Sequence, residues 1–151
     1  MDVLRRNTDY GLRMMAALAE HFNNGRLISA RQLASDGHFS YQLGCKLLQK
    51  LHRAKLVKSG MGPNGGFTLS REPSKITLME VITVLQGGIR LNRCLLGGEG
   101  CEFESDCEIH TKLACLQLYI EGYLGGITLE EILQSQSKII RNGKKILKGK
   151  E

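Results

Sequence analysis

The stretch RCLLGGEGCEFESDCEIH, residues 93 to 110, gathers three of the five cysteines in a chain of 151 residues. Cys94 is followed after six residues by Cys101 and after five more by Cys107. His110 comes three residues after Cys107, and Cys115 lies further along the same segment. Thiolates are soft ligands suited to iron-sulfur clusters or zinc, and Gly97, Gly98 and Gly100 would let a loop wrap a small object. Zinc ribbons normally use paired C-x2-C knuckles, which this run lacks. Three spaced cysteines favour a cluster with a fourth ligand of another kind, while zinc and three unmetallated thiols stay open on spacing alone. Cys115, beside Leu113 and Leu116, is expected to pack as a small hydrophobe, and so is Cys45.

Charge is distributed unevenly around this run. Residues 1 to 60 carry ten Lys/Arg against four Asp/Glu, whereas residues 90 to 110 set Arg90 and Arg93 against Glu99, Glu102, Glu104, Asp106 and Glu108. A basic N-terminal half suits a polyanion, and the acidic cysteine run would repel one. The plainer alternative is that both are solvated faces. No apolar run approaches the roughly 18 to 20 residues that span a bilayer, and the N-terminus MDVLRRNTDYG lacks a secretory signal, so a cytoplasmic protein without a membrane partner is expected. In that reducing compartment an odd set of cysteines reads as metal ligands or sensor thiols. Nothing resembles an enzyme site: there are no paired carboxylates on a rigid scaffold, no nucleophile with a base and no P-loop.

The elements that must position these residues are mainly helical. Residues 8 to 22 put Tyr10, Met14, Ala17, Leu18 and Phe22 near one helical face, with Thr8 or Asp9 as the expected start. Ser29 and Gln32 form a capping box for a short helix that Gly37 ends. Ser40 then caps a second helix with an apolar stripe of Leu43, Leu47, Leu51 and Ala54. Two short helices across a tight turn form a helix-turn-helix. Asn64-Gly65, between Val57 and the alternating Phe67 and Leu69, predicts a hairpin with both turn residues at positive φ. The combination is a winged helix: mainly α with a small β wing.

In such modules the start of the second helix enters the major groove, which makes Ser40, Tyr41 and Gln42 base-edge readers. Lys46, Gln49, Lys50 and Arg53 follow on the same helix, the cations placed for phosphates, and the wing at 60 to 66, with Asn64 and Gly65, would lie along the backbone or reach a minor groove. A winged helix also serves as a protein-interaction module, so a cysteine-rich assembly factor is the alternative of another class. Thr77 and Glu80 start a further helix that Gly87-Gly88 terminates. A helix is expected from about 108 to 123, with Ile109, Leu113, Leu116 and Ile120 as its stripe and Gly125-Gly126 as its end, before a last helix capped by Thr128 and Glu131. The expected division is a DNA-binding domain at 1–87, a cysteine loop at 88–107, helices at 108–137 and a basic, frayed tail at 138–151.

Several motifs together carry a resemblance: TDYGLR at 8 to 13, LLQKLHRAKLVKS before GPNGGFTL at 62 to 69, ITLMEVITVLQG at 76 to 87, the three cysteines after it, and ITLEEIL at 127 to 133. The chain resembles, over nearly its whole length, the winged-helix iron-sulfur transcription regulators that include the nitric-oxide-sensing repressor NsrR and the cluster-biogenesis regulator IscR. The resemblance implies a homodimer joined largely by the helix around 108 to 123, reading a palindromic double-stranded DNA operator. It implies a cluster on Cys94, Cys101 and Cys107, whose loss, oxidation or nitrosylation shifts the reader helix. The fourth ligand divides the branches. Asp9 matches the NsrR-like position, where the partner subunit's aspartate completes a four-iron, four-sulfur cluster; His110 matches the IscR-like position, where a histidine of the same chain completes a two-iron, two-sulfur cluster. Asp9 as a plain helix cap and His110 as a plain first-turn residue are the alternatives. The match of TDYGLR favours Asp9 and a repressor answering nitric oxide or oxidants. Two departures stand out: Met61 occupies a position where many relatives carry a wing arginine, and the first cysteine gap is slightly long.

Overall fold

The computed structural model describes residues 3–92, 95 and 107–135. Helix α1 spans Arg6–Glu20, α2 Ala30–Asp36 and α3 Tyr41–Arg53; strands β1 (Val57–Gly60) and β2 (Gly66–Leu69) form the wing; α4 (Leu78–Gln86) and α5 (Glu108–Gly126) follow. Helical backbone resumes over 129–135. The result is the expected winged helix. Among the described residues, no helix is long and apolar enough to cross a membrane.

α1 starts two residues ahead of expectation. Arg5 is the N-cap without a side-chain cap bond, so neither Thr8 nor Asp9 caps the helix. Thr8 is instead buried, its hydroxyl donating to Gln86 Oε1 at 2.7 Å. Ser29, Ser40, Thr77 and Thr128 do cap their helices, accepting from Gln32 N, Leu43 N, Glu80 N and Glu131 N. The reciprocal arm of two boxes goes elsewhere: Gln32 donates to Asp36, and Glu80 pairs with Arg71. At the turn between α2 and α3, Gly37 stays right-handed and His38 takes φ 54°. Gly37 is needed for space, since a Cβ there would lie 2.1 Å from the Phe39 ring.

The core is built where the helices meet the wing. Met14, Met15, Leu18, Leu47, Leu48, Leu51, Leu56, Val57, Leu69, Ile76, Val81 and Leu129 all lie in it. Ala54, expected on the α3 stripe, is exposed, because Gly44 and Leu48 rotate the buried face away from it. β1 and β2 are antiparallel, with Val57 opposite Leu69 and Gly60 opposite Gly66. Ile28 bridges to Phe67 through paired backbone bonds of 3.0 and 2.8 Å, an isolated bridge at the edge of the two-stranded sheet. The turn differs from expectation: neither Asn64 nor Gly65 is at positive φ, and Gly62 takes φ 110°. A five-residue loop puts the reversal earlier, and Gly65 is required by closeness instead, since a Cβ there would sit 2.7 Å from Gly60 O.

α4 ends as expected at Gly87, with φ 87°. Residues 127–129 return to its start, where Leu78 N donates to Ile127 O and Leu129 N to Ile76 O. α5 runs through Gly125 and Gly126 rather than breaking before them. It buries no residue in this chain. Ile109, Leu116, Leu118, Tyr119 and Tyr123 are all exposed, and Cys115, expected to be packed, is exposed with them because none of the described residues covers that face.

Candidate nucleic-acid interface

α3 is amphipathic, and its packing decides which residues look outward. Leu47, Leu48 and Leu51 lock one side into the core, leaving Tyr41, Gln42, Lys46, Gln49 and Arg53 exposed. Four of these, at 42, 46, 49 and 53, follow the three-and-four spacing of a single helical face. Ser40 is exposed at the helix start and accepts from Leu43 N at 3.3 Å, which leaves its hydroxyl proton available to a ligand.

Arg31 of α2 lies over the Tyr41 ring, 5.3 Å from its centroid, and so brings a second cation to the reading end of α3. A hydrogen bond to half-buried Cys45 raises the Tyr41 pKa above the ordinary phenol value. Cys45 therefore supports a surface residue rather than only filling the core.

Lys50 departs from its neighbours. Exposed like Lys46 and Arg53, it nevertheless has a partner within the chain: its Nζ donates to Leu85 O at the end of α4, 3.1 Å away.

Two grooves flank the wing. One, of about 510 Å³, runs between the wing tip and the start of α2 and is lined by Arg26, Ser29, Gln32, Asn64 and Gly65 among others. The other, of about 200 Å³, separates Gln49, His52 and Arg53 of α3 from Ser59 and Phe67 of the sheet. Met61 stands fully exposed at the wing tip. Arg26, Arg31 and His52 were not singled out from the sequence; only the general excess of cations in residues 1 to 60 pointed toward the two arginines.

Of the sulfur ligands expected for a cluster, Cys94 and Cys101 lie outside the described residues. Cys107 is half-buried at the N-cap of α5, where its Sγ accepts from His110 N at 3.4 Å. His110 is half-buried one turn into α5. Asp9 lies in the first turn of α1 and pairs with Arg13 at 3.0 Å, a partly exposed contact worth at most about 1 kcal/mol. Among the described residues no three Cys, His, Asp or Glu side chains are grouped for a metal.

A helix-turn-helix with a β wing and an outward row of Gln, Lys and Arg is a DNA-binding regulator module. The family model described as "Iron-dependent Transcriptional regulator", Rrf2, matches residues 4–135. The chain is 32% identical over 135 residues to the HTH-type transcriptional regulator IscR of Serratia proteamaculans, covering 87% of this chain and 79% of that one. It is 30% identical over 131 residues to an HTH-type transcriptional regulator of Aquifex aeolicus, covering 85% and 90%. Among solved structures, T. potens IscR superposes with a TM-score of 0.72 at 27% identity, covering 88% of this chain and 87% of that one. CymR, the global cysteine regulator of B. subtilis, superposes with a TM-score of 0.73 at 27% identity, covering 89% and 98%. The chain belongs to the Rrf2 family of winged-helix transcriptional regulators. Its relatives are regulators rather than enzymes.

Proposed function

We propose that the chain is a cytoplasmic, homodimeric repressor whose DNA binding depends on an iron-sulfur cluster and which answers nitric oxide or redox stress. The observation that carries the cluster reading is Cys107: a sulfur held at the N-cap of a helix whose apolar side is left exposed. That joins a soft ligand to a candidate dimer surface. With Cys94 and Cys101 it would hold the cluster, and the donor set fits a soft iron-sulfur group. A bound cluster supplies reactivity toward nitric oxide and oxidants; the protein's own part is to tie the loop to α5 through Cys107.

On DNA, Ser40, Tyr41 and Gln42 read base edges of a palindromic operator while Lys46, Gln49 and Arg53 meet the backbone. The groove beside Asn64 and Gly65, with Arg26 at its edge, suits a flanking phosphate. Asp9 of the partner subunit is the proposed fourth ligand of a four-iron cluster. A second reading, an IscR-like monitor of cluster supply, gives that place to His110 and a two-iron cluster; it is supported by the place of His110 in the first turn of α5, the helix that Cys107 caps.

The test is an anaerobic absorption and Mössbauer spectrum of wild type beside Asp9→Ala and His110→Ala. A four-iron signal weakened by Asp9→Ala and lost on adding nitric oxide is the expected result. A two-iron signal dependent on His110 selects the second reading. Colourless protein holding zinc or no metal rejects both.

A further inference from the structure

The carboxyl end of α4 touches more of the regulator than its length suggests. Its last turn exposes carbonyls with a partial negative charge, and Lys50 of α3 donates to one of them, Leu85 O. The next residue, Gln86, uses its whole side-chain amide. Its Oε1 accepts from Arg5 N at 3.0 Å and from the Thr8 hydroxyl, while its Nε2 donates to Val3 O at 3.0 Å and Gly88 O at 2.8 Å. Leu85 itself packs so tightly on α1 that a Cβ on Gly11 would come within 2.2 Å of its Cδ1.

The segment that follows is fastened to α5. Ile89 is fully buried, Arg90 pairs with Glu121 at 3.5 Å, and Leu91 N donates to Gln117 Oε1 at 3.4 Å. Seven residues, 85–91, thus bear bonds to α3, to the start of α1 and to α5.

We propose that this turn is the positioning joint of the reader helix: Lys50 holds α3 to the end of α4, and Gln86 locks that end to α1 and to Gly88 in the segment after it. Lys50 is then a positioning residue, not a phosphate contact. Displacement of residues 88–91 or of α5 reaches α3 through the core packing of α4 and through the ammonium-carbonyl bond of Lys50. The proposal rests on the reading of α3 as the DNA-contacting helix, and it adds how the register of that helix is held.

The two roles of Lys50 leave different signatures on DNA. A phosphate contact releases a counterion, so its removal lowers affinity equally for all duplexes and makes the salt dependence shallower by about 0.9 in log-log slope. A positioning residue alters how α3 sits, so its removal lowers discrimination and leaves the slope alone.

The experiment measures anisotropy binding of the full chain to two labelled duplexes over a salt series. One duplex is selected by the wild-type protein from a randomised pool, and the other is an arbitrary sequence of equal length. For Lys50→Gln, whose shorter side chain falls short of Leu85 O, the selected-to-arbitrary affinity ratio falls about tenfold with wild-type slope. Lys50→Arg, which keeps a cationic donor, restores the ratio to within about threefold of wild type. Gln86→Leu shows the same loss, and adding it to Lys50→Gln costs less than the sum of the two. Should Gln86→Leu fail to fold, Gln86→Glu keeps the bonds from Arg5 and Thr8 while losing the donors to Val3 and Gly88, and a lowered ratio is expected again.

A shallower slope with equal loss on both duplexes in Lys50→Gln overturns the proposal, as does an unchanged ratio. Lys46→Ala separates this failure from a deeper one. If wild type binds neither duplex, or Lys46→Ala leaves the slope unchanged, the DNA-contacting role of α3 falls and takes the joint with it; a normal Lys46→Ala response beside a phosphate-like Lys50→Gln sinks the joint alone.

Discussion

α3 and α5 are both helices with apolar residues at helical spacing, yet they end in opposite situations. α3 buries Leu47, Leu48 and Leu51 and presents Gln42, Lys46, Gln49 and Arg53 to solvent. α5 is longer, buries nothing, and presents Ile109, Leu116, Tyr119 and Tyr123. A polar, cationic outer face is stable in water and meets a polyanion through charge. An apolar outer face is costly in water and is relieved by another protein surface. Among the described residues α3 is covered on its apolar side and α5 is not, which fits the proposed reader and dimer helices.

The largest effect on this contrast should come from α5. Leu116→Asp places a carboxylate on the proposed dimer face, and we expect light scattering to show the mass of a single chain and DNA affinity to drop more than about 100-fold as two half-sites stop acting together. An unchanged mass would remove α5 from the dimer reading.

Next comes the buried side of α3. Leu51→Ala empties space at a fully buried position and should cost about 2–5 kcal/mol in urea unfolding. A loss below about 1 kcal/mol would mean that α3 is less firmly held than its burial implies.

On the outer side of α3, Lys46→Ala should weaken binding several-fold on every duplex and make the salt slope shallower by about 0.9, without changing thermal stability by more than about 0.5 kcal/mol. Sequence-selective loss would instead make Lys46 a base contact. The smallest effect is local: Ser40→Ala removes the acceptor for Leu43 N and should cost about 1 kcal/mol of stability. A null result in chemical denaturation would mean that water replaces the cap.

Much of the fold was legible because its signals are local. A side-chain cap depends on residues three apart, so Ser29, Ser40, Thr77 and Thr128 could each be read in isolation. Where an expectation slipped, a distant group had taken the side chain or the space. Thr8 went to Gln86, 78 residues away, and the α1 cap passed to Arg5. Glu80 went to Arg71 rather than back to its own helix start. The hairpin was legible from Asn64-Gly65, but the residue at positive φ was settled by the five-residue loop and its contacts.

The candidate site divides in the same way. The outward row on α3 follows from periodicity, since residues three and four apart share a face in any α-helix. Lys50 belongs to that helix by sequence and to the α4 joint by structure, because Leu85 lies 35 positions away and no local pattern links them. Arg31 over Tyr41 is likewise a contact between two helices.

By itself the sequence determined the helix starts capped by Ser29, Ser40, Thr77 and Thr128, the existence of the wing, the cationic reader helix and the soft-ligand character of the cysteine run, all properties of neighbours along the chain. Tertiary structure alone decided that Lys50 bonds to Leu85 O, that Cys115, Ile109 and Leu116 of α5 are exposed, and that Gln86 ties α4 to the start of α1. Those outcomes depend on which surfaces meet once the core closes. An apolar stripe specifies that something must cover it, and only the packed chain reveals whether that cover comes from within.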